Sequence, residues 1–187
     1  MTPGALILAC WIGFYVYWTA SAGGVKTTRE RESGASQLSH RVPLLAAAVL
    51  LIVPFQVFHL GTPLMASTTR LDAASVAIAM VGLAVAVWAR WTIGANWSSA
   101  VSLKEDHELV RHGPYRFVRN PIYTGMLLML LGTALFVDQW RALLAMVLAT
   151  AALWVKLKRE ERFMARQFPE AYPAYRAKVK ALIPYVL

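Results

Sequence analysis

The feature that most narrows the folds open to this chain is a set of five stretches with no charged side chain. They run from Pro3 to Ala22, Val42 to Ala66, Ala73 to Ala89, Asn120 to Val137 and Ala142 to Val155. The bilayer core offers no water to backbone N–H and C=O groups. An apolar run of about 20 residues, with roughly 17 as a floor, therefore reads as a spanning helix. The first four stretches meet that floor. The fifth is marginal, and Lys156 and Lys158 extend it only by snorkelling to the headgroups. Pro54 is expected to kink the second stretch, and Trp88 and Trp91 to anchor the third at an interface. Composition agrees: 58% of residues are apolar and 16% charged, against about 25% charged in a soluble domain. Cys10 lies within the first stretch and, as the single cysteine, cannot form an intrachain disulfide; it reads as a small buried hydrophobe.

The net charge of +9 has a topological explanation. With the N-terminus outside, three segments face the cytoplasm: 23–41, 90–119 and the tail from 156. Of the 19 Lys and Arg, only Arg70 and Arg141 fall elsewhere, as the positive-inside rule requires. The basic face meets anionic membrane lipid, and nucleic acid is not an expected partner. "TASAGG" offers a signal-peptide cleavage pattern, but "MTPG" ahead of the apolar run lacks Lys and Arg. The segment is read as the first span. The polar 23–41 loop reads as a solvated connector. The short turns "STTRLD" and "DQWR" predict tight hairpins between spans 2 and 3 and between spans 4 and 5.

From Ala142 to Phe168 there is no Pro or Gly, and Pro169 follows. At about 1.5 Å per residue the helix outruns the hydrocarbon core and is expected to protrude into the cytoplasm. The 90–121 loop and the tail then share one membrane face. The expected architecture is a single all-α integral membrane domain over 1–187 with five transmembrane helices. The N-terminus lies outside and the C-terminus is cytoplasmic. Residues 1–91 form the first three spans, and 92–187 a loop, a helical hairpin and a cytoplasmic tail. The expected site is a multi-pass position in a bacterial inner membrane.

The usual hydrolytic and nucleotide chemistries are absent. "HELVRH" places His107 and His112 five apart, not the four that puts two zinc ligands on one helix face, and Gly113-Pro114 breaks the helix at once. His40 and His59 lie on other elements. There is no GxSxG, Walker A or GxGxxG motif. What remains is His107, Tyr115, Asn120 and Tyr123, with Glu160 and Glu161 on the last helix. Asn120-Pro121 suits a helix cap and first turn. Tyr115 and Tyr123 suit an aromatic belt. Glu160 follows Lys156 at i+4, while Glu161 precedes nothing basic at that spacing and is the less explained of the two.

Together, "HELV..GPY..VRNPIYTG", the later "EE", "FPEAYPAY" and "IP" resemble the isoprenylcysteine carboxyl methyltransferase family, grouped with the phospholipid N-methyltransferases. The resemblance covers roughly residues 90–185. It implies S-adenosyl-L-methionine (SAM) as cofactor and a lipophilic or lipidated acceptor drawn from the bilayer. His107, Leu109 and Val110 would line the adenosine pocket. Gly113 and Tyr115 come from "GPY". Asn120, Pro121 and Tyr123 match R-H-P-x-Y with Asn for His. Glu160 and Glu161 form the acidic pair, with Glu161 on the methionyl ammonium. Lys156 stands where the family grips the substrate carboxylate with Arg, and Ala100 where it has Gln. Glu161 and Lys156 are thus the candidate catalytic residues. Carboxyl O-methylation of a prenylcysteine-like substrate is the leading expectation and N-methylation of a phospholipid or amine the second. An NAD(P)H-dependent membrane ene-reductase and a non-catalytic scaffold are the alternatives from other classes.

Overall fold

The computed structural model describes residues 1–23, 28–31, 33–53, 59–65, 68–97, 102–104 and 108–186. Among these residues six α-helices carry the fold: α1 (Pro3–Ala20), α2 (Gly34–Ile52), α3 (Thr69–Ile93), α4 (Pro121–Val137), α5 (Trp140–Gln167) and α6 (Ala171–Lys178). Their starts follow local chemistry. Thr2, Ser33 and Thr68 accept the backbone N–H three residues on, at 3.2–3.3 Å, and so satisfy donors that a first turn leaves unpaired.

α1, α2, α3 and α5 are long and apolar enough to cross a membrane; α4 is a shorter apolar helix of 17 residues. This corrects the expectation that the last span would be the marginal one. α5 begins at Trp140 and runs 28 residues, about 42 Å at 1.5 Å per residue. The short element is α4, which starts at Pro121, the first helical position, and stops at Asp138 in the left-handed region (φ 47°).

The expected hairpin of the second and third spans is also corrected. α3 packs on α4, α2 packs on α5, and α1 lies against α3. Small residues decide this. Ser75, Ala79 and Ala86 of α3 are fully buried and Gly82 is buried, and they face Gly125, Met129 and Gly132 of α4. A Cβ built on Gly82 would stand 2.6 Å from the Gly125 carbonyl oxygen, and one on Gly132 would stand 2.5 Å from that of Ser75. The two backbones touch, the arrangement small-xxx-small stripes permit between membrane helices. Ala47 of α2 packs with Ala145 and Ala149 of α5 in the same manner.

Arg141 secures the far end of that second pair. Its Nη1 donates to the carbonyls of Leu50 (2.7 Å), Leu51 (2.9 Å) and Val53 (3.1 Å). A buried guanidinium thus neutralises the C-terminus of α2. The proline inside α2 is Pro43; Pro54, the expected kink, lies outside the described residues. The connector 23–41 is not wholly loop, because α2 starts at Gly34. Residues Thr28–Arg31 (β1) pair antiparallel with Ser102–Lys104 (β2), so a small two-stranded sheet joins the helices of the expected all-α fold.

Candidate functional site

One cavity of about 290 Å³ lies where α3 ends, α4 begins and the polar half of α5 passes. That is near the lower end of volumes that hold small ligands. α1 contributes Trp18. The end of α3 and the turn after it contribute Ile93, Asn96 and Trp97. The 108–115 segment supplies Glu108, Leu109, Val110 and Tyr115. Arg119, Asn120, Ile122, Tyr123 and Met126 enter from the start of α4. α5 adds Lys156, Glu160, Glu161, Phe163 and Met164, and α6 adds Tyr172 and Tyr175.

Of the residues singled out from sequence, Leu109, Val110, Tyr115, Asn120, Tyr123, Lys156, Glu160 and Glu161 therefore face one space. Gly113 and Pro121 do not line it. Gly113 (φ +59°) backs onto Thr92, 3.0 Å from where a Cβ would lie, and Pro121 is buried in the first turn of α4. His107 lies outside the described residues.

The largest departure from the sequence reading is Arg119, counted there as cytoplasmic surface charge. Its side chain is 7% exposed, and its Nε and Nη2 donate to Glu161 Oε1 at 2.8 and 2.5 Å. Its Nη1 donates to the carbonyls of Val179 and Arg176. Glu161 is 4% exposed. The hydrogen-bond partner of this glutamate is 42 residues back in sequence. Its second oxygen, Oε2, is buried with no hydrogen-bond donor; the Lys158 ammonium stands 3.9 Å away. One signal pointed to Arg119: its place directly before Asn120-Pro121, where the chain must turn into a helix.

Glu160 follows the expected spacing. Lys156 Nζ lies 3.9 Å from its Oε1, and the Tyr123 hydroxyl donates to the same oxygen at 2.6 Å. Lys156 Nζ also sits 5.5 Å from the Tyr123 ring centre, within cation–π range. Tyr123 and Tyr115 are each 7% exposed, so they belong to the protein interior and not to a lipid-facing belt.

Asn120 occupies the position before α4 without capping it. Its Nδ2 and backbone N–H both donate to the Ala181 carbonyl, at 3.3 and 3.0 Å. Arg119 N–H donates to Lys180, and Thr124 Oγ1 to Leu182 at 2.8 Å. These bonds stitch the C-terminal segment onto the start of α4, and Ala181 and Leu182 pack on Tyr123, Leu153 and Leu157.

α6 closes the cavity. Tyr172 and Tyr175, three apart on one face, are both buried. The Tyr175 hydroxyl donates to the Tyr115 carbonyl at 2.5 Å, and the Tyr115 hydroxyl donates to that of Ala89 at 3.4 Å. Burial pushes the Tyr115 and Tyr172 phenols well above their usual range, with Glu160 and Glu161 respectively adding to the effect. Burial pushes Tyr175 up to about 12 against the pull of Arg119 and Arg111. The phenols stay neutral at physiological pH, as hydrogen-bond donors and aromatic walls. The site thus offers buried carboxylate, two cations and several rings. That set suits a ligand with both charges and a flat heterocycle.

The sequence profile of the phospholipid methyltransferases matches residues 71–171. The protein-S-isoprenylcysteine O-methyltransferase of Schizosaccharomyces pombe is 31% identical over 99 residues, 50% of this chain and 41% of that protein. The cobalt-zinc-cadmium resistance protein CzcN of Cupriavidus metallidurans is 29% identical over 109 residues, 57% of this chain and 48% of that one. The chain thus spans about half the length of the curated relatives it matches. The fold is similar to that of the eukaryotic intramembrane Ras methyltransferase, isoprenylcysteine carboxyl methyltransferase. The TM-score is 0.55 at 21% identity, over 83% of this chain and 55% of that one. With the profile covering more than half of its residues, the chain belongs to the phospholipid methyltransferase family, alongside the isoprenylcysteine carboxyl methyltransferases.

Proposed function

We propose that the protein is an integral membrane methyltransferase that uses SAM and acts on a lipophilic acceptor reaching the cavity from the bilayer. The observation that carries this reading is the state of Glu161. One oxygen is held by Arg119, and the other is buried without a hydrogen-bond donor at the edge of a cavity. A buried carboxylate oxygen with no hydrogen bond, and with the Lys158 ammonium no nearer than 3.9 Å, is costly, and an ammonium group in the cavity relieves that cost.

SAM supplies a methyl group on a sulfonium, an electrophile that needs no covalent nucleophile from the protein. The residues then have ordinary tasks. Glu161 holds an ammonium group, and Lys156 and Arg119 offset a carboxylate. Leu109, Val110, Tyr115 and Tyr172 supply the apolar and aromatic wall an adenine requires. Holding donor and acceptor about 3–3.5 Å apart in line provides much of the rate.

Ile93, Ile122 and Met126 face the same cavity from α3 and α4, and this apolar side suits an acceptor with a hydrocarbon tail. Carboxyl O-methylation of a prenylcysteine-like acceptor is favoured slightly, in keeping with the names of the relatives. N-methylation of an amine or phospholipid is the second reading. It is favoured by Lys156, which lacks the bidentate fork of arginine and is already engaged by Glu160.

The test is binding of S-adenosylhomocysteine and of NADPH to detergent-solubilised protein. S-adenosylhomocysteine is expected to raise the melting temperature, and NADPH to leave it unchanged. Glu161→Gln keeps an acceptor for Arg119 and removes the charge, so S-adenosylhomocysteine affinity should fall at least about tenfold, or about 1.4 kcal/mol. Unchanged affinity in a folded Glu161→Gln protein overturns the assigned role, and a shift by NADPH alone favours the reductase.

A further inference from the structure

A second buried arginine lies beside the cavity, behind the lining residue Trp97. Arg90, in the last turn of α3, is 4% exposed. Its Nη1 donates to the Gly94 carbonyl at 2.9 Å and its Nη2 to the Ser21 carbonyl. Gly94 terminates α3 and Ser21 terminates α1. Two helix C-termini, each with unpaired carbonyls and the negative end of a macrodipole, meet on one guanidinium. The Cζ of that guanidinium lies over the Trp97 ring, 4.5 Å from its centre.

Each of these contacts leads into the cavity. Trp97 lines it, and its ring meets that of Trp18, also a lining residue, edge-on at 5.7 Å. Trp18 sits in α1, three residues before the carbonyl that Arg90 holds. The Gly94 bond fixes the turn Gly94–Asn96. Asn96 Oδ1 in turn accepts the Glu108 N–H at 3.4 Å, next to Leu109 and Val110.

We propose that Arg90 is a positioning residue: by clamping the ends of α1 and α3 it sets the cavity wall formed by Trp18, Asn96, Trp97, Leu109 and Val110. It touches no ligand itself. α1 lies outside the segment matched by the family profile, which spans 71–171, so the clamp attaches an additional element to the site. Lysine is a poor substitute, because a point charge on a flexible stem cannot serve two carbonyls and lie over the Trp97 ring at once. The ligand-binding part of this inference rests on the S-adenosyl reading above; the placement of the wall does not.

The experiment compares Arg90→Gln, Arg90→Lys and Trp97→Leu with the unaltered protein in detergent. Arg70→Gln, an exposed position at the start of α3, serves as control. S-adenosylhomocysteine affinity is measured by calorimetry, and near-ultraviolet circular dichroism is recorded without ligand. The dichroism lost in Trp97→Leu defines the Trp18–Trp97 signal. Arg90→Gln should lose that signal and bind at least tenfold more weakly. Arg90→Lys should fall between, and Arg70→Gln should match the unaltered protein on both counts. An Arg90→Gln protein with a lower melting temperature but unchanged affinity and tryptophan signal has lost only stability, and that result overturns the proposal. If Arg90→Gln does not fold, Trp97→Leu decides, since it keeps both carbonyl contacts; unchanged affinity there overturns the proposal. If the unaltered protein does not bind S-adenosylhomocysteine, the functional reading fails, and the dichroism of Arg90→Gln still decides whether Arg90 places the wall.

Discussion

At the scale of single residues, the site is built on buried charge. Arg119 and Glu161 share one desolvated ion pair, and removing one partner strands the other. Arg119→Met should therefore cost about 3–5 kcal/mol, whereas the double change Arg119→Met with Glu161→Met should recover most of that loss. Chemical or thermal unfolding in detergent measures both. The double variant separates folding from function, because a stable protein without Glu161 should not bind S-adenosylhomocysteine. The sequence showed Glu160 and Lys156 as partners, because i, i+4 spacing on a helix is local geometry. It could not show Arg119 as the partner of Glu161, because that pair depends on where the start of α4 lies relative to the middle of α5. For the same reason Arg90 and Arg141, counted from sequence as surface charge, prove to be buried caps on helix ends.

At the scale of elements, the close approach of α3 and α4 makes a sharp prediction. Gly82→Ala forces a methyl group to within 2.6 Å of backbone atoms of α4 and should destabilise by about 1–3 kcal/mol or more. Gly34→Ala, at the open start of α2 with nothing within 4 Å, should be neutral or stabilise by up to about 1 kcal/mol. Melting temperatures of the two variants check the contrast. The docked tail makes a second prediction, with a pH sign. Burial raises the Tyr175 phenol to about 12, above its ordinary value near 10, so the folded state holds this proton more tightly than the unfolded one. Its contribution is complete below about pH 10 and is lost as pH rises toward 12. Tyr175→Phe should flatten that alkaline decline in melting temperature. The paired tyrosines were visible in "FPEAYPAY"; their burial under Arg119 was not, since an eight-residue helix takes its position from what it packs on.

At the scale of the whole molecule, the orientation argued from charge has a direct check. In a Cys10→Ala background, a cysteine at Arg70 should react with a membrane-impermeant thiol reagent added outside intact cells, and one at Arg111 should not. The reverse pattern would invert the protein and place the cavity and the basic segments together outside, away from cytosolic SAM. Among the described residues, Arg90 at the end of α3, Arg111, Arg116 and Arg119 before α4, and Lys156 with the cations beyond it lie toward the same helix ends as the cavity.

The sequence by itself determined the apolar stretches, the clustering of Lys and Arg between them and the membership of a methyltransferase family, because apolar runs and charge are properties of composition along the chain and the motif residues lie close together in it. Eight of the twenty residues that line the cavity were also legible in it. Only the tertiary structure decided which helices pair, which span is short, and which charges are buried. Helix pairing depends on small-residue stripes meeting across space, and a cation is surface or core only by virtue of what folds over it. Arg119 and Arg90 are the clearest cases. Both read as cytoplasmic charge along the chain, and both stand in the fold as buried guanidinium groups, Arg119 lining the cavity and Arg90 behind its Trp97.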